Sequence, residues 1–458
     1  MKSLLITGDR SGSGKTSITL AISALLARDH EVQPFKVAMD YIDPSYLTGV
    51  TGRPCRNLDS FVMDPALIRT VYDNGCRGAD IAIVEGVRGL YEGSDAIADT
   101  GSTASIAKQL GLNVILAVDA RSITRSAAAL VKGFMAFDPE VKIKGVILNQ
   151  VRSRTHEEKA RRAIEHFCGI PVLGAIPQTD AMQLTMRHLG LVPYLEGRGK
   201  EDFLKKIETV TEVIGEHVDM DRLLDIAGTS PAPQEQPAMF RPAQETGLAI
   251  GVAIDEAFNF YYNDLFDLLP AWGAKVIPFS PIHDRLPAAD GYIFGGGYPE
   301  LFAAELEAND AMREAVREVS RADVPIYAEC GGLIYLTRSV TLRKEWNNEA
   351  SDRSYQMAGV FDGITRMPAR RVIGYVRGTS SAESPLGAAT FAGHEFHHTD
   401  VRLPKDTRYA YRLSRGIGIQ DNLDGALLRR TQASYTHLHP SASAGMFAAF
   451  VRECRKQP

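Results

Sequence analysis

The chain carries residues of three kinds that could do chemistry together. The first is a lone cysteine between two apolar runs. Val324-Pro325-Ile326-Tyr327-Ala328-Glu329 leads to Cys330, and Gly331-Gly332 open Leu333-Ile334-Tyr335-Leu336. Strand, sharp turn and helix in that order lift a side chain out of the core and present it at the end of a sheet. Backbone N–H groups from Gly331 onward would face whatever Cys330 attacks, stabilising both a thiolate and an oxyanion. A second strand-like run, Gly291-Tyr292-Ile293-Phe294, ends in Gly295-Gly296-Gly297. Glycine permits close backbone approach, so Gly296 and Gly297 are candidates for the same oxyanion hole. A histidine remote in sequence can serve such a cysteine as base, because the pair need only meet in space, and His437 in Ser434-Tyr435-Thr436-His437-Leu438-His439 is available. A core cysteine at a glycine turn is the plainer alternative.

The second kind is a phosphate loop. Gly8-Asp9-Arg10-Ser11-Gly12-Ser13-Gly14-Lys15-Thr16 stands between an apolar strand and a helical pattern. Its glycines let backbone N–H groups close around phosphate oxygens. Lys15 offsets the β/γ charge, and the Thr16 hydroxyl is placed to hold magnesium. Gly8 lies six residues before Gly14, with Asp9 where a glycine is usual. This variant loop resembles that of dethiobiotin synthetase and the MinD-like ATPases. Some of that group carry a second lysine where Arg10 stands here. Arg10 is either a phosphate contact or a carboxylate-paired arginine.

The third kind is a set of acids and cations after strand-like runs. Asp40-Tyr41-Ile42-Asp43-Pro44, Arg56-Asn57-Leu58-Asp59-Ser60 and Glu85-Gly86-Val87-Arg88-Gly89-Leu90-Tyr91-Glu92-Gly93 each follow one closely, as does Asn149. Singly these could be caps or solvated acids. Beside a phosphate loop they suit a magnesium–ATP site, since carboxylates bind the metal directly or through water. Asp43 and Glu85 join Thr16 as the magnesium candidates. Lys36 and Arg88 suit a carboxylate-rich substrate or the transferring phosphoryl group, and Asn149 the adenine edge or a cap.

The elements that must position these groups alternate. Strands are expected at 4–7, 32–37, 81–84, 114–118 and 144–148, separated by amphipathic helical stretches. That is the pattern of a parallel, doubly wound sheet, which binds ligands at the carboxyl ends of its strands. Three prolines within residues 230–237 interrupt all periodicity and mark a linker. The expected organisation is α/β with two doubly wound domains, 1–226 and 247–458, joined by a linker at 227–246. A chain of 458 residues is too long for one core.

The net charge of −5, with no basic stripe, gives no electrostatic case for nucleic acid. No apolar run is long enough to span a membrane, and Met1-Lys2-Ser3 leads straight into a strand rather than a signal peptide. Five scattered cysteines without CxxC pairing argue for a reducing, cytoplasmic setting. His394-Glu395-Phe396-His397-His398 fits a zinc-protease pattern by spelling. That motif needs a helix, and Gly393 before it and Pro404 after it argue against one.

Gln33-Pro34-Phe35-Lys36-Val37, the three acidic segments, Gly101-Ser102-Thr103-Ala104 and Arg125-Ser126-Ala127-Ala128-Ala129-Leu130 together resemble the a,c-diamide synthases of corrinoid and related tetrapyrrole biosynthesis. The second half resembles a class I glutamine amidotransferase domain of the cobyric acid synthase type. The resemblance covers nearly the whole chain. It implies that Cys330 is the nucleophile and His437 its base. It also implies that glutamine supplies ammonia, and that ATP activates two acetate side chains of a macrocycle as acyl phosphates. Asp40, Tyr41, Asp59 and Glu92 would orient the macrocycle or the acyl phosphate.

Many relatives in this class place a glutamate two residues after the histidine to orient it. Here that position is His439, so the orienting group is absent or comes from elsewhere. Family members act on cobyrinic or hydrogenobyrinic acid, and archaeal ones on nickel sirohydrochlorin, toward cobalamin or the nickel tetrapyrrole of methanogenesis. Arg88 and Tyr91-Glu92 look more like the archaeal form. The expected partners are the tetrapyrrole, ATP and glutamine, with a second copy of the chain as the candidate protein partner. The rivals are a cobyric-acid-type synthase acting on other side chains and a MinD-like ATPase switch with an inactive second domain.

Overall fold

A computed structural model of the chain describes residues 1–456 apart from 183–185, 188, 189, 245, 345 and 347–350. It divides into two compact units, Met1–Pro237 and Ala238–Pro458.

The first unit is built on β1 (Lys2–Gly8), β2 (Val32–Val37), β3 (Arg56–Leu58), β4 (Ile81–Gly89), β5 (Asn113–Asp119), β6 (Lys142–Val151) and β7 (Val172–Pro177). They lie in the order β3-β2-β4-β1-β5-β6-β7, each parallel to its neighbours. Leu4, Leu5 and Ile6 are wholly buried, as a strand covered on both faces must be. Leu4 and Ile6 pack in one core with Ile18 and Ile22 of helix α1 (Lys15–Leu26) and with Ile83 of β4, Ile115 of β5 and Ile147 of β6. Strand order reverses about β1, so the loop that leaves Gly8 opens at the switch point of the sheet, where α/β sheets bind ligands. The expected strands are present. β3 lies within a segment read above only for its polar residues. Gly228–Thr229, inside the expected linker, pairs antiparallel with β1, and Glu245 of that linker lies outside the described residues.

The second unit holds β8 (Leu248–Ala253), β9 (Ala274–Phe279), β10 (Gly291–Phe294), β11 (Ile326–Glu329), β12 (Val372–Ser380), β13 (Ala389–His397), β14 (Arg408–Arg415), β15 (Leu423–Leu428), β16 (Thr431–Ser434) and β17 (His437–Leu438). Their order is β9-β8-β10-β11-β16-β15-β14-β12-β13-β17. The first five are parallel, and the rest continue the sheet antiparallel. β11 is buried at every residue between β10 and β16 and delivers Cys330 at the middle of the sheet. β16 leads on through Tyr435 and Thr436 to His437. The residues 394–398 fall on strand β13 and just beyond it, not on a helix, which removes the geometry a zinc pair needs. Among the described residues no helix is long and apolar enough to cross a membrane, and all five cysteines are free and buried.

Candidate active site

The Cys330 turn is strained as the sequence requires. Cys330 has φ 46° and ψ −92°, an unusual backbone for a residue with a side chain, and it sits directly before helix α2 (Gly331–Leu336). Its N–H donates to Ser434 O at 2.7 Å, tying the turn to β16. Its Sγ donates to Phe396 O at 3.5 Å, and the Gly331 N–H hydrogen-bonds the sulfur. A side chain at Gly331 would bring its Cβ to 2.9 Å from Gly297 N, so only glycine lets the two backbones lie together. A Cβ at Gly296 would stand 2.6 Å from His437 Cε1. The structure therefore brings Cys330, Gly331, Gly296, Gly297 and His437 into one place.

His437 is fully buried on β17, which pairs with β13 opposite His394. Its Nδ1 lies 3.3 Å from Glu329 Oε2. Asp424 fixes the approach to it by accepting from Tyr435 N, Thr436 N and Thr436 Oγ1 at 3.0, 2.8 and 2.7 Å. His439 turns elsewhere. Its Nε2 is 3.9 Å from Asp264 Oδ2, and its Nδ1 accepts from Ser441 N at 3.3 Å. Burial, then the Glu300 and Glu329 carboxylates, raise the Cys330 thiol above its ordinary range, so the resting side chain is protonated. The His394 ring centre is 5.3 Å from that of His437, and burial together with His437 holds His394 well below the usual imidazole range.

In the first unit Gly14 ends the loop with φ 89° at the start of α1. Asn149 donates to Ser13 O at 2.9 Å, and its Oδ1 accepts from Gln150 N at 2.9 Å, so it braces the loop. Arg10 lies against Asp9, with Nε and a guanidinium nitrogen at 2.9 and 2.8 Å, the carboxylate-paired arrangement.

The centre of this site is Lys36. Its Nζ is 2.5 Å from Asp43 Oδ2, 2.7 Å from Glu85 Oε1 and 4.0 Å from Asp40 Oδ2. Thr16 Oγ1 donates to Glu85 Oε1 at 2.8 Å and lies 3.3 Å from Asp43 Oδ2. Burial would lower Lys36, but Asp43, Glu85 and Asp40 outweigh it and hold the ammonium charged. Burial, with Lys36 next, lowers Lys15, while burial pushes Glu85 up to about 7 against the pull of Lys36.

The other sequence candidates make local contacts of their own. Asp40 Oδ1 accepts from Ile42 N and Asp43 N at 2.9 and 3.2 Å, opening the helix Ile42–Thr51 just after Tyr41. Asp59 accepts from Phe61 N at 2.8 Å. Glu92 folds back onto Gly89 N, and Arg88 is exposed with φ 50°. Thus Lys15, Thr16, Lys36, Asp40, Asp43 and Glu85 form one electrostatic cluster. Asp59 and Glu92 brace their own loops.

Two family models match the chain, the CobQ/CobB/MinD/ParA nucleotide binding domain over residues 4–192 and the CobB/CobQ-like glutamine amidotransferase domain over residues 249–445. A cobyrinate a,c-diamide synthase of Methanosarcina acetivorans is 48% identical across 99% of this chain and 95% of its own. The enzyme of that name from Methanothermobacter thermautotrophicus is 43% identical across 97% and 98%. That from Listeria monocytogenes is 42% identical across 96% of each. The chain belongs to the cobyrinate a,c-diamide synthase family.

As a member of that family it is a glutamine-hydrolysing ligase, and the reading as a MinD-like switch is set aside. The Lys36 cluster falls within the nucleotide-binding match, and Cys330 and His437 fall within the amidotransferase match. Glu329 is the residue at this synthase's histidine that sequence reasoning missed. An orienting acid is expected two residues past His437, where His439 stands instead. The available signal was an acid at the end of a buried apolar strand, directly before the nucleophile.

Proposed function

We propose that this synthase amidates the a and c acetate side chains of cobyrinate, using glutamine as nitrogen donor and ATP to activate each carboxylate. The observation that carries the reading is the strained Cys330 against the His437 strand, in a chain alike end to end to cobyrinate a,c-diamide synthases. His437 takes the Cys330 proton as the sulfur attacks the glutamine amide carbon, and the proton leaves with ammonia. The oxyanion formed meanwhile faces the N–H groups of Gly331 and Gly297. Water hydrolyses the thioester, releasing glutamate. In the other unit a substrate carboxylate oxygen attacks the γ-phosphorus, ADP departs, ammonia adds to the acyl phosphate, and phosphate leaves.

Lys15 and the loop N–H groups would hold the phosphates. Magnesium fits the cluster: Thr16 Oγ1, Asp43 and Glu85 are hard oxygen donors that converge, and Glu85 Oε2 is buried without a hydrogen-bond partner. Among the described residues no three His, Cys, Asp or Glu side chains are set to cage a metal, so phosphate oxygens and water would complete its shell. When bound, the ion offsets phosphate charge. Lys36 keeps the acids paired and presents positive charge to the substrate carboxylate.

Incubation with ATP, magnesium, glutamine and either cobyrinic acid or nickel sirohydrochlorin, followed by mass spectrometry, tests the reading. Two amides gained on cobyrinic acid are expected. A gain on nickel sirohydrochlorin alone would move the substrate to the nickel macrocycle, and a gain on neither would overturn the proposal.

A further inference from the structure

We infer that Glu329, the residue immediately before the nucleophile, is the positioning residue that orients His437 and so completes the hydrolytic set. The inference rests on the reading of Cys330 and His437 as nucleophile and base.

Four buried carboxylates lie about the histidine strand, and three are committed elsewhere. Glu395 of β13 accepts from the Ile417 and Gly418 N–H groups. Asp264 accepts from Ser441 Oγ at 2.6 Å and faces His439. Asp424 accepts from two backbone N–H groups and the Thr436 hydroxyl. Glu329 divides its two oxygens. Oε1 accepts from the Tyr327 hydroxyl at 2.5 Å and from Leu438 N at 3.0 Å. Oε2 faces His437 Nδ1 at 3.3 Å. One oxygen is thus anchored to the nucleophile strand and to the histidine strand, and the other is left for the imidazole.

A carboxylate there accepts the Nδ1 proton and leaves Nε2 as the basic nitrogen, the tautomer that a thiol base needs. It also stabilises the imidazolium that forms when Cys330 gives up its proton. The hydroxyl donor is itself secure, because burial and the neighbouring carboxylate raise Tyr327 far above its ordinary range. His439, two residues beyond the histidine, cannot substitute, since its ring faces Asp264 and lies tilted against Tyr262 with 4.6 Å between centres.

The split between kcat and KM is the readout that a merely structural residue would not give, and the same carboxylate also raises the Cys330 thiol. Removing its charge lowers the thiol's proton affinity, so alkylation of Cys330 should begin at lower pH in Glu329→Gln than in the native protein.

The test compares glutaminase kinetics, ammonia-driven synthesis and the pH profile of Cys330 alkylation by iodoacetamide, followed by peptide mass spectrometry. Glu329→Gln is expected to lower glutamine kcat by about 100-fold or more with KM little changed, a loss of the kind seen when a histidine's carboxylate partner becomes an amide. It should keep ammonia-driven synthesis and shift the alkylation onset downward. His439→Gln should leave the glutamine kcat within about twofold, since its ring faces Asp264 rather than His437. If Glu329→Gln also loses ammonia-driven synthesis, Tyr327→Phe carries the test. It leaves the carboxylate in place but frees its anchor, and about a tenfold loss of kcat at constant KM is expected, equal to one hydrogen bond. A native glutamine kcat in Glu329→Gln, or in Tyr327→Phe where that variant decides, overturns the inference. Cys330→Ala separates the two levels. If it retains glutamine hydrolysis, the catalytic reading itself fails, whatever Glu329 does.

Discussion

Lys36 is the residue on which the proposed ATP site turns. A lysine this deeply buried is tolerable only with counter-charges, and Asp43 and Glu85 supply them at hydrogen-bond distance. Removing it leaves two carboxylates without their cation. Lys36→Met is therefore expected to destabilise the first unit by about 3 kcal/mol, the lower end for breaking a buried pair. Urea unfolding with a signal from that unit checks this, and an unchanged midpoint would show that the acids are already neutralised elsewhere. At this scale the sequence was informative about types and poor about partners. Lys15, Thr16, Asp43 and Glu85 were legible because a phosphate loop and acids at strand ends form a recognisable set. Glu92 and Asp59 belong to the same segments by sequence, yet they accept from backbone N–H groups of their own turns. Spacing does not distinguish an acid that turns its own loop from one that faces a ligand.

Among the elements, the junction of β11 with the glycine run after β10 would set the proposed glutaminase geometry. Gly331→Ala would force its Cβ toward Gly297 N and push the two backbones apart. Glutamine-driven turnover should fall by about 100-fold, the scale of losing one oxyanion donor, while ammonia-driven synthesis survives. Loss of both together would mean that the substitution unfolds the chain rather than opening the hole. β13 makes a second prediction. Burial lowers His397 from 6.5 to about 4, where its ring stacks on Tyr435 with centres 3.6 Å apart. A histidine kept neutral in the fold but free to protonate when unfolded stabilises the unfolded chain as pH falls below about 6.5. The cost reaches roughly 2 kcal/mol at pH 5. Melting temperature measured from pH 7.5 to 5 should fall, and less steeply in His397→Gln; parallel profiles would contradict this. The parallel strands that were legible are short continuous apolar runs, whereas β3, β7, β9 and β16 were not read as strands. The antiparallel half was not legible, because strands such as β12 and β14 show one face to solvent and alternate too irregularly to stand out from loop sequence.

For the whole molecule, the proposed function assigns one half-reaction to each of two units with separate sheets, so that nitrogen released in one would be used in the other. The order of the two halves was legible from the phosphate loop, the proline-rich stretch and the Cys330 turn. The acid beside His437 was not, because it comes from a residue more than a hundred positions earlier that only the sheet brings near. The central claim is that ammonia released at Cys330 becomes the product amides. Amide-15N glutamine, ATP, magnesium and cobyrinic acid test it most directly, with the native protein and Cys330→Ala compared by mass spectrometry. The account predicts two 15N amides from the native protein, none from Cys330→Ala with labelled glutamine, and two unlabelled amides from Cys330→Ala given ammonia. Labelled amides formed by Cys330→Ala, or unlabelled amides formed by the native protein from labelled glutamine, would contradict it.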